Sequence, residues 1–167
     1  LKAVQEHLQV NDQTKIMAQT KDMTIEEREA FLNQFTFQPQ ETTVGLAVLG
    51  GVFSEGIDLV GDRLIGVGIV GVGLPQLSYA RDLIATYHQN KGRNGFTFGY
   101  VYPAINKVLQ AMGRVIRSET DRGIALLIDE RFLREEYGAI QDRYSQYEVI
   151  HSPDELEETL ATFFNKD

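Results

Sequence analysis

Apolar and polar positions alternate along this chain in blocks with two periods. Residues 1–9 place Leu1, Val4 and Leu8 on one helical face. Thr14–Ala18 reads as a short strand. Asp22-Met23-Thr24-Ile25-Glu26-Glu27 carries a capping box, Thr24 with Glu27 three later, and opens a helix to about Phe35. Thr43–Leu49, Leu64–Val72 and Ile124–Ile128 are apolar and β-branched, as buried parallel strands require. Ser78–Gln89 predicts a helix and Lys91–Gly95 a loop. Pro103 suits the first residue of another helix. Glu148–Ile150 reads as a last short strand, and Ser152 with Pro153 opens a final helix whose first turn holds Asp154 and Glu155. Strands alternating with helices predict an α/β fold, its mainly parallel sheet covered by helices on both faces. The 167 residues form one domain, 1–167, with no internal repeat and no linker.

The helix after Pro103 has two unlike faces. At about 100° per residue, Gln110, Arg114 and Arg117 fall within an arc of roughly 60°. Ile105, Leu109, Met112 and Ile116 fall opposite, with Val108 and Val115 beside them. Gly113 lies next to the polar stripe and leaves room for a ligand to approach. Guanidinium groups keep their charge and donate in a fork, which suits phosphate. A nucleoside triphosphate is the natural ligand of such a face. A plain solvated face is the other reading of paired arginines.

Ser54-Glu55-Gly56-Ile57-Asp58 follows a predicted strand, where open α/β sheets bind ligands. A strand-to-loop turn with a capping carboxylate is the alternative. Gly66-Val67-Gly68-Ile69-Val70-Gly71 matches the dinucleotide-binding expression Gly-x-Gly-x-x-Gly, but its glycines sit inside the apolar run rather than after it. They read as a tightly packed central strand. Tyr79, Tyr87, Tyr100 and Tyr102 are candidates for stacking on bases, Tyr100 and Tyr102 ahead of the others, or else packing residues. Lys91, Arg93 and Asn94 form a basic loop that suits either a phosphate backbone or solvent. His7, His88 and His151 show no zinc spacing. Asp129 and Arg131 suit an ion pair at a strand end.

Composition narrows these choices. Net charge is -8, whereas a free-standing nucleic-acid binder is usually basic. The charge is uneven, since Lys91, Arg93, Lys107, Arg114 and Arg117 fall in a stretch with no acid. Cysteine is absent, which excludes disulfides and thiolate-held metals or clusters within these residues. Glycines and charges interrupt every apolar run before it could span a bilayer. A cytoplasmic protein with no membrane partner is expected.

Several short motifs in order carry a family resemblance over about residues 43 to 134. Gln110-Ala111-Met112-Gly113-Arg114-Val115-Ile116-Arg117 resembles motif VI of superfamily 2 helicases, Gln-x-x-Gly-Arg-x-x-Arg. Phe53-Ser54-Glu55-Gly56-Ile57-Asp58 resembles motif V. Gly73-Leu74-Pro75, Tyr102-Pro103, Asp121-Arg122-Gly123 and Asp129-Glu130-Arg131 complete the set. In this order they resemble the second helicase domain of the DinG/XPD-like family.

That resemblance implies a RecA-like, three-layer fold of the P-loop NTPase type. It also implies ATP hydrolysis coupled to 5′ to 3′ movement on single-stranded DNA and the unwinding of forked duplex, in repair or replication. Gln110, Arg114 and Arg117 would face the γ-phosphate across a cleft from the first RecA-like domain of the same chain, with Arg117 as the finger. Gly113 would border the nucleotide. Asp58 would contact its sugar or brace a motif VI arginine, and Ser54, Glu55 and Gly56 would lie near the DNA track. Mg²⁺ and the phosphate loop are expected from the first domain, because no Gly-x-x-x-x-Gly-Lys-[Ser/Thr] occurs here. An iron–sulfur cluster would likewise belong to that domain. The chain opens in what reads as the first helix of such a fold, so a preceding strand with motif IV is expected outside it, and these residues alone are expected not to hydrolyse ATP. The rivals are a non-catalytic RecA-like interaction module and a dinucleotide-binding oxidoreductase domain.

Overall fold

A computed structural model describes residues 13–53, 59, 61–115, 121–144 and 147–165. The helix expected over residues 1–9 lies outside them. Strand β1 (Thr14–Ala18) pairs in parallel with β2 (Thr42–Leu46), in the register Ile16 to Val44. Helix α1 (Ile25–Leu32) makes the crossover between them. Its start is the capping box read from the sequence: Thr24 accepts from the Glu27 amide at 3.2 Å, and the Glu27 carboxylate accepts from the Thr24 amide at 2.7 Å. It ends at Leu32 rather than Phe35, capped by Asn33, because the chain turns there to bring Phe35 back beside Phe31. Both rings cover Gly45 of β2, where a Cβ would come within 2.8 Å of Phe35.

Strand β3 (Gly66–Val70) pairs in parallel with β4 (Ile124–Ile128), Gly66 opposite Ile124 and Val70 opposite Ile128. The glycines of the Gly-x-Gly-x-x-Gly stretch therefore lie within a strand or at its end. No helix starts on them, so the dinucleotide arrangement is not formed. Among the described residues the parallel pairing forms two two-stranded ladders rather than the single sheet expected. Side chains bridge the two. Leu49, beyond β2, lies so close to Gly73, beyond β3, that a Cβ on Gly73 would meet it at 2.6 Å. Gly73 also has a φ of +66°, so glycine is required there twice over.

Helix α2 (Tyr79–Gln89) begins after Ser78 as the sequence predicts. Asn94 accepts from the Thr97 amide at 3.2 Å and starts the next helical stretch. That stretch has a π-helical turn, Thr97–Val101, which runs without a break into α3 (Tyr102–Met112). Pro103 is thus not the first helical residue. Proline lacks an N–H and cannot bond the carbonyl four residues back, that of Gly99. Instead Arg81 of α2 donates to the Gly99 carbonyl at 3.1 Å. A π-turn next to a proline, with an outside donor for the freed carbonyl, resolves the conflict the sequence poses.

Replacing Arg81 by methionine keeps much of the stem but leaves that carbonyl short of a donor. The expected loss is about 1–3 kcal/mol of stability, read by urea unfolding. An unchanged midpoint would show that Gly99 needs no such partner.

The core lies between α3, β3 and the segment after β4. Ile69, Val72, Val101, Ile105, Val108, Met112, Phe132, Tyr137 and Ile140 are all buried in one cluster. After β4 come a short 3-10 turn at Glu130–Leu133, another at Glu135–Tyr137, helix α4 (Gly138–Arg143) and helix α5 (Pro153–Asn165). Ser152 caps α5 through the Glu155 amide at 3.2 Å. Glu148–Ile150 forms no strand. Arg122 donates to the Phe163 carbonyl at 2.6 Å and lies over its ring, tying α5 to the segment before β4. No helix among the described residues is long and apolar enough to cross a membrane.

Candidate anion site on helix α3

Helix α3 divides as its sequence dictates. Ala104, Ile105, Val108 and Met112 are buried, while Asn106 and Gln110 are exposed. Leu109 is only partly buried and reaches the edge of the polar face. The α-helix stops at Met112, so the octamer is not one continuous helix. Gly113 caps it, and Arg114 and Val115 follow in a tight turn, their amides donating to Ala111 and Met112 at 3.1 Å. Buried Val115 pins the turn. Gln110, Gly113 and half-buried Arg114 still come together. They line an open depression of about 450 Å³ with Asn106, Leu109 and Arg143. Arg143 comes from the end of α4, and no sequence signal points to it: it is one arginine in a polar stretch outside every motif. Among the described residues no acid lines the depression, so the donors described there suit an anion. Arg117 lies outside the described residues.

Ser54, Glu55, Gly56 and Asp58 also lie outside the described residues, between Phe53 and Leu59. Phe53 is buried and stacked on Phe31, ring centroids 4.5 Å apart. Leu59 is buried on the other side. Gly50, with a φ of +76°, meets the Lys107 side chain of α3, whose Cδ would be 2.8 Å from an added Cβ. The lead-in to the second candidate segment therefore rests on the helix that bears Gln110.

Asp129 and Arg131 do form an ion pair at the end of β4. Arg131 donates through Nε at 2.9 Å and Nη2 at 2.6 Å, and its amide also donates to Asp129 Oδ1 at 2.9 Å. These donors hold the Asp129 carboxyl down at about 2. The ionised form makes the bonds, so their contribution to stability is complete above the ordinary value of 3.8 and is lost as pH falls from there through about 2. The difference in Tm between wild type and Asp129→Asn is expected to shrink over that window. A difference that does not change with pH would remove the pair as an acid-sensitive contact.

The aromatic candidates separate. Tyr100 is buried, stacked on Phe96 and hydrogen-bonded through its hydroxyl to the Asp82 carboxylate, which raises its pKa; it is a packing residue and not a stacking platform. Tyr102 is exposed and meets Phe98 edge-on. Tyr79 and Tyr87 are exposed rather than semi-buried. In the basic loop, Lys91 lies over the Tyr87 ring and Arg93 over Phe98. Among the described residues no group of three or more His, Asp or Glu is placed to hold a metal ion.

Comparison with known proteins decides the family. Residues 1–145 match the model of the helicase C-terminal domain. The chain belongs to that family. Within it the chain is similar to helicases named DinG and XPD. Over 90 residues it is 39% identical to the ATP-dependent DNA helicase DinG of Photobacterium profundum. That match covers 53% of this chain and 13% of the relative. Among solved structures, an XPD helicase superposes with a TM-score of 0.58 at 20% identity, over 80% of this chain and 24% of that one. An apo XPD structure gives 0.58 at 23% identity, over 76% and 26%. These likenesses establish the RecA-like α/β fold of the helicase domain, which spans only a minor part of each relative.

Proposed function

We propose that this chain is the second RecA-like motor domain, one unit over 1–167, of a cytoplasmic ATP-dependent DNA helicase acting in repair or replication. The observation that carries the reading is the convergence of Gln110, Gly113 and Arg114 on one depression, with no acid among its described lining residues. It is the arrangement a phosphate needs, and it uses three residues of the octamer that resembles motif VI. In the mechanism proposed, Gln110 orients the γ-phosphate and Arg114 and Arg117 meet the negative charge that develops on it. Gly113 leaves the backbone open to the nucleotide, and Asp58 holds the sugar or an arginine. Ser54, Glu55 and Gly56 border single-stranded DNA or the fork.

The site needs a second surface. The donors in the depression suit phosphate oxygens and not a divalent cation. In this reading Mg²⁺ and the phosphate loop, like an iron–sulfur cluster, are supplied by the first RecA-like domain, since no Gly-x-x-x-x-Gly-Lys-[Ser/Thr] occurs in these residues. Mg²⁺, when bound, neutralises phosphate charge during transfer. With nucleotide between them, the arginines draw the two domains together; after hydrolysis the attraction weakens and the cleft opens. Both domains hold one DNA strand, so each cycle becomes a step. Buried Val115 and the turn hydrogen bonds keep Arg114 in place through this motion.

The test is ATP hydrolysis by the full-length protein with and without single-stranded DNA. Hydrolysis that rises with DNA is expected. Folded full-length protein that hydrolyses no ATP under either condition would overturn the reading.

A further inference from the structure

The aromatic side chains at the end of α2 and on the π-turn after it are not used by the function proposed above. Tyr87, His88, Phe98 and Tyr102 form an unbroken run of rings. Tyr87 meets His88 edge-on with centroids 5.3 Å apart, His88 lies flat on Phe98 at 3.8 Å, and Phe98 meets Tyr102 edge-on at 5.0 Å. None of the four belongs to the buried core cluster, and Tyr87 is 60% exposed. Two exposed cations stand over the run. Lys91 Nζ lies 5.9 Å from the Tyr87 centroid, and the Arg93 guanidinium lies 5.6 Å from that of Phe98. The loop that carries them is held by its own backbone. The Lys91 and Arg93 amides both donate to the His88 carbonyl, at 3.0 and 3.1 Å, and the Gly92 amide donates to that of Gln89 at 3.0 Å. Gly92 turns the chain with a φ of +74°, and the Gln89 side chain accepts from the Gly95 amide at 3.3 Å. Rings and cations are therefore presented together on a fixed turn.

We propose that Tyr87, Lys91 and Arg93 form a contact surface for single-stranded nucleic acid, in which a base stacks on the Tyr87 ring and the two cations hold neighbouring phosphates. The inference rests on the helicase reading above and adds to it a contact outside the octamer and the segment 54–58. Interleaved rings and cations match the alternation of base and phosphate along a single strand. Cations alone would serve an acidic protein surface equally well; the exposed ring beside them is what favours a base. His88 and Phe98 brace the Tyr87 ring from behind. At the far end of the run, Glu135 and Glu136 line the depression of about 460 Å³ that Tyr102 shares with Asn94 and Thr97. Their carboxylates repel phosphate, so the strand crosses at the Tyr87 end, where Lys91 stands.

The experiment uses full-length protein and a fluorescent single-stranded oligonucleotide of mixed sequence. Affinity is measured without nucleotide over a series of salt concentrations. The double variant Lys91→Gln, Arg93→Gln is expected to bind about 20-fold more weakly near 0.1 M salt. Its salt dependence should be shallower by about 1.4 in logarithmic slope, the value for two phosphates on a single strand. Tyr87→Ala is expected to lose about tenfold in affinity with the slope unchanged, because a lost stack involves no counterion. Tyr87→Phe keeps the ring and should bind like wild type. Wild-type affinity and slope in the double variant would overturn the assignment and leave the patch to an acidic protein partner. Wild-type affinity in Tyr87→Ala would overturn it too, by reducing the surface to a phosphate contact. The underlying reading fails differently: wild type then binds no oligonucleotide at any salt concentration and hydrolyses no ATP.

Discussion

Replacing Arg117 by alanine in the full-length protein is expected to cut DNA-stimulated ATP turnover by about 10³-fold or more while leaving ATP binding largely intact. The reason is where charge appears. In phosphoryl transfer, charge spreads over the equatorial and leaving oxygens only as the transition state forms. A fixed guanidinium aimed there stabilises that state more than the ground state. In the function proposed, Arg117 is the finger, three residues after Arg114 in sequence, and the preceding turn at 113–115 is held by two backbone bonds and by buried Val115. Arg114→Ala should also lose turnover. The measurement is kcat from steady-state hydrolysis, with nucleotide affinity from a fluorescent analogue. Normal kcat in Arg117→Ala would end its assignment as the finger.

The second large effect concerns stability. Gly95→Ala is expected to destabilise the domain by about 2–3 kcal/mol, because its methyl group would overpack a contact already closed. A Cβ at Gly95 would stand 2.2 Å from the Ala85 carbonyl oxygen and 2.9 Å from its carbon, and both are backbone atoms of α2 that no rotamer change can move. Gly99, one turn on, faces Arg81 and Ala85 in the same way, with Cβ distances of 3.0 and 3.2 Å. The pair lets α2 lie directly on the π-turn, close enough for Arg81 to reach the Gly99 carbonyl. Urea unfolding of Gly95→Ala and Gly68→Ala makes the comparison clean, since a Cβ at Gly68 meets nothing within 4 Å. Equal midpoints for the two variants would show that the close approach of α2 is not needed for stability.

Much of this protein is legible in its amino-acid sequence. The capping box at Thr24 and Glu27, the strands at Thr14–Ala18 and Ile124–Ile128, the start of α2 after Ser78 and the cap at Ser152 depend on neighbours within a few residues. Local backbone chemistry therefore determines them, and they stand where the sequence predicts them. The family is legible too, because short motifs such as Gln110 to Arg117 stand in the order that the resemblance requires, and residues 1–145 match the helicase C-terminal domain. Long-range packing decided the rest. Nothing local says that Pro103 would sit inside a helical run, since the donor that makes it tolerable, Arg81, is 22 residues away by sequence number. Nor does helical periodicity choose the buried face of α2: Leu83, Ile84 and Tyr87 stay exposed while Ala85 turns inward, because only a small side chain fits against Gly95 and Gly99. Arg143 reaches the depression beside α3 for the same reason. Its neighbours in sequence carry no chemistry that marks it, and only the packing that buries Ile140 with Val108 and Met112 sets it among residues that line the same depression as Arg114.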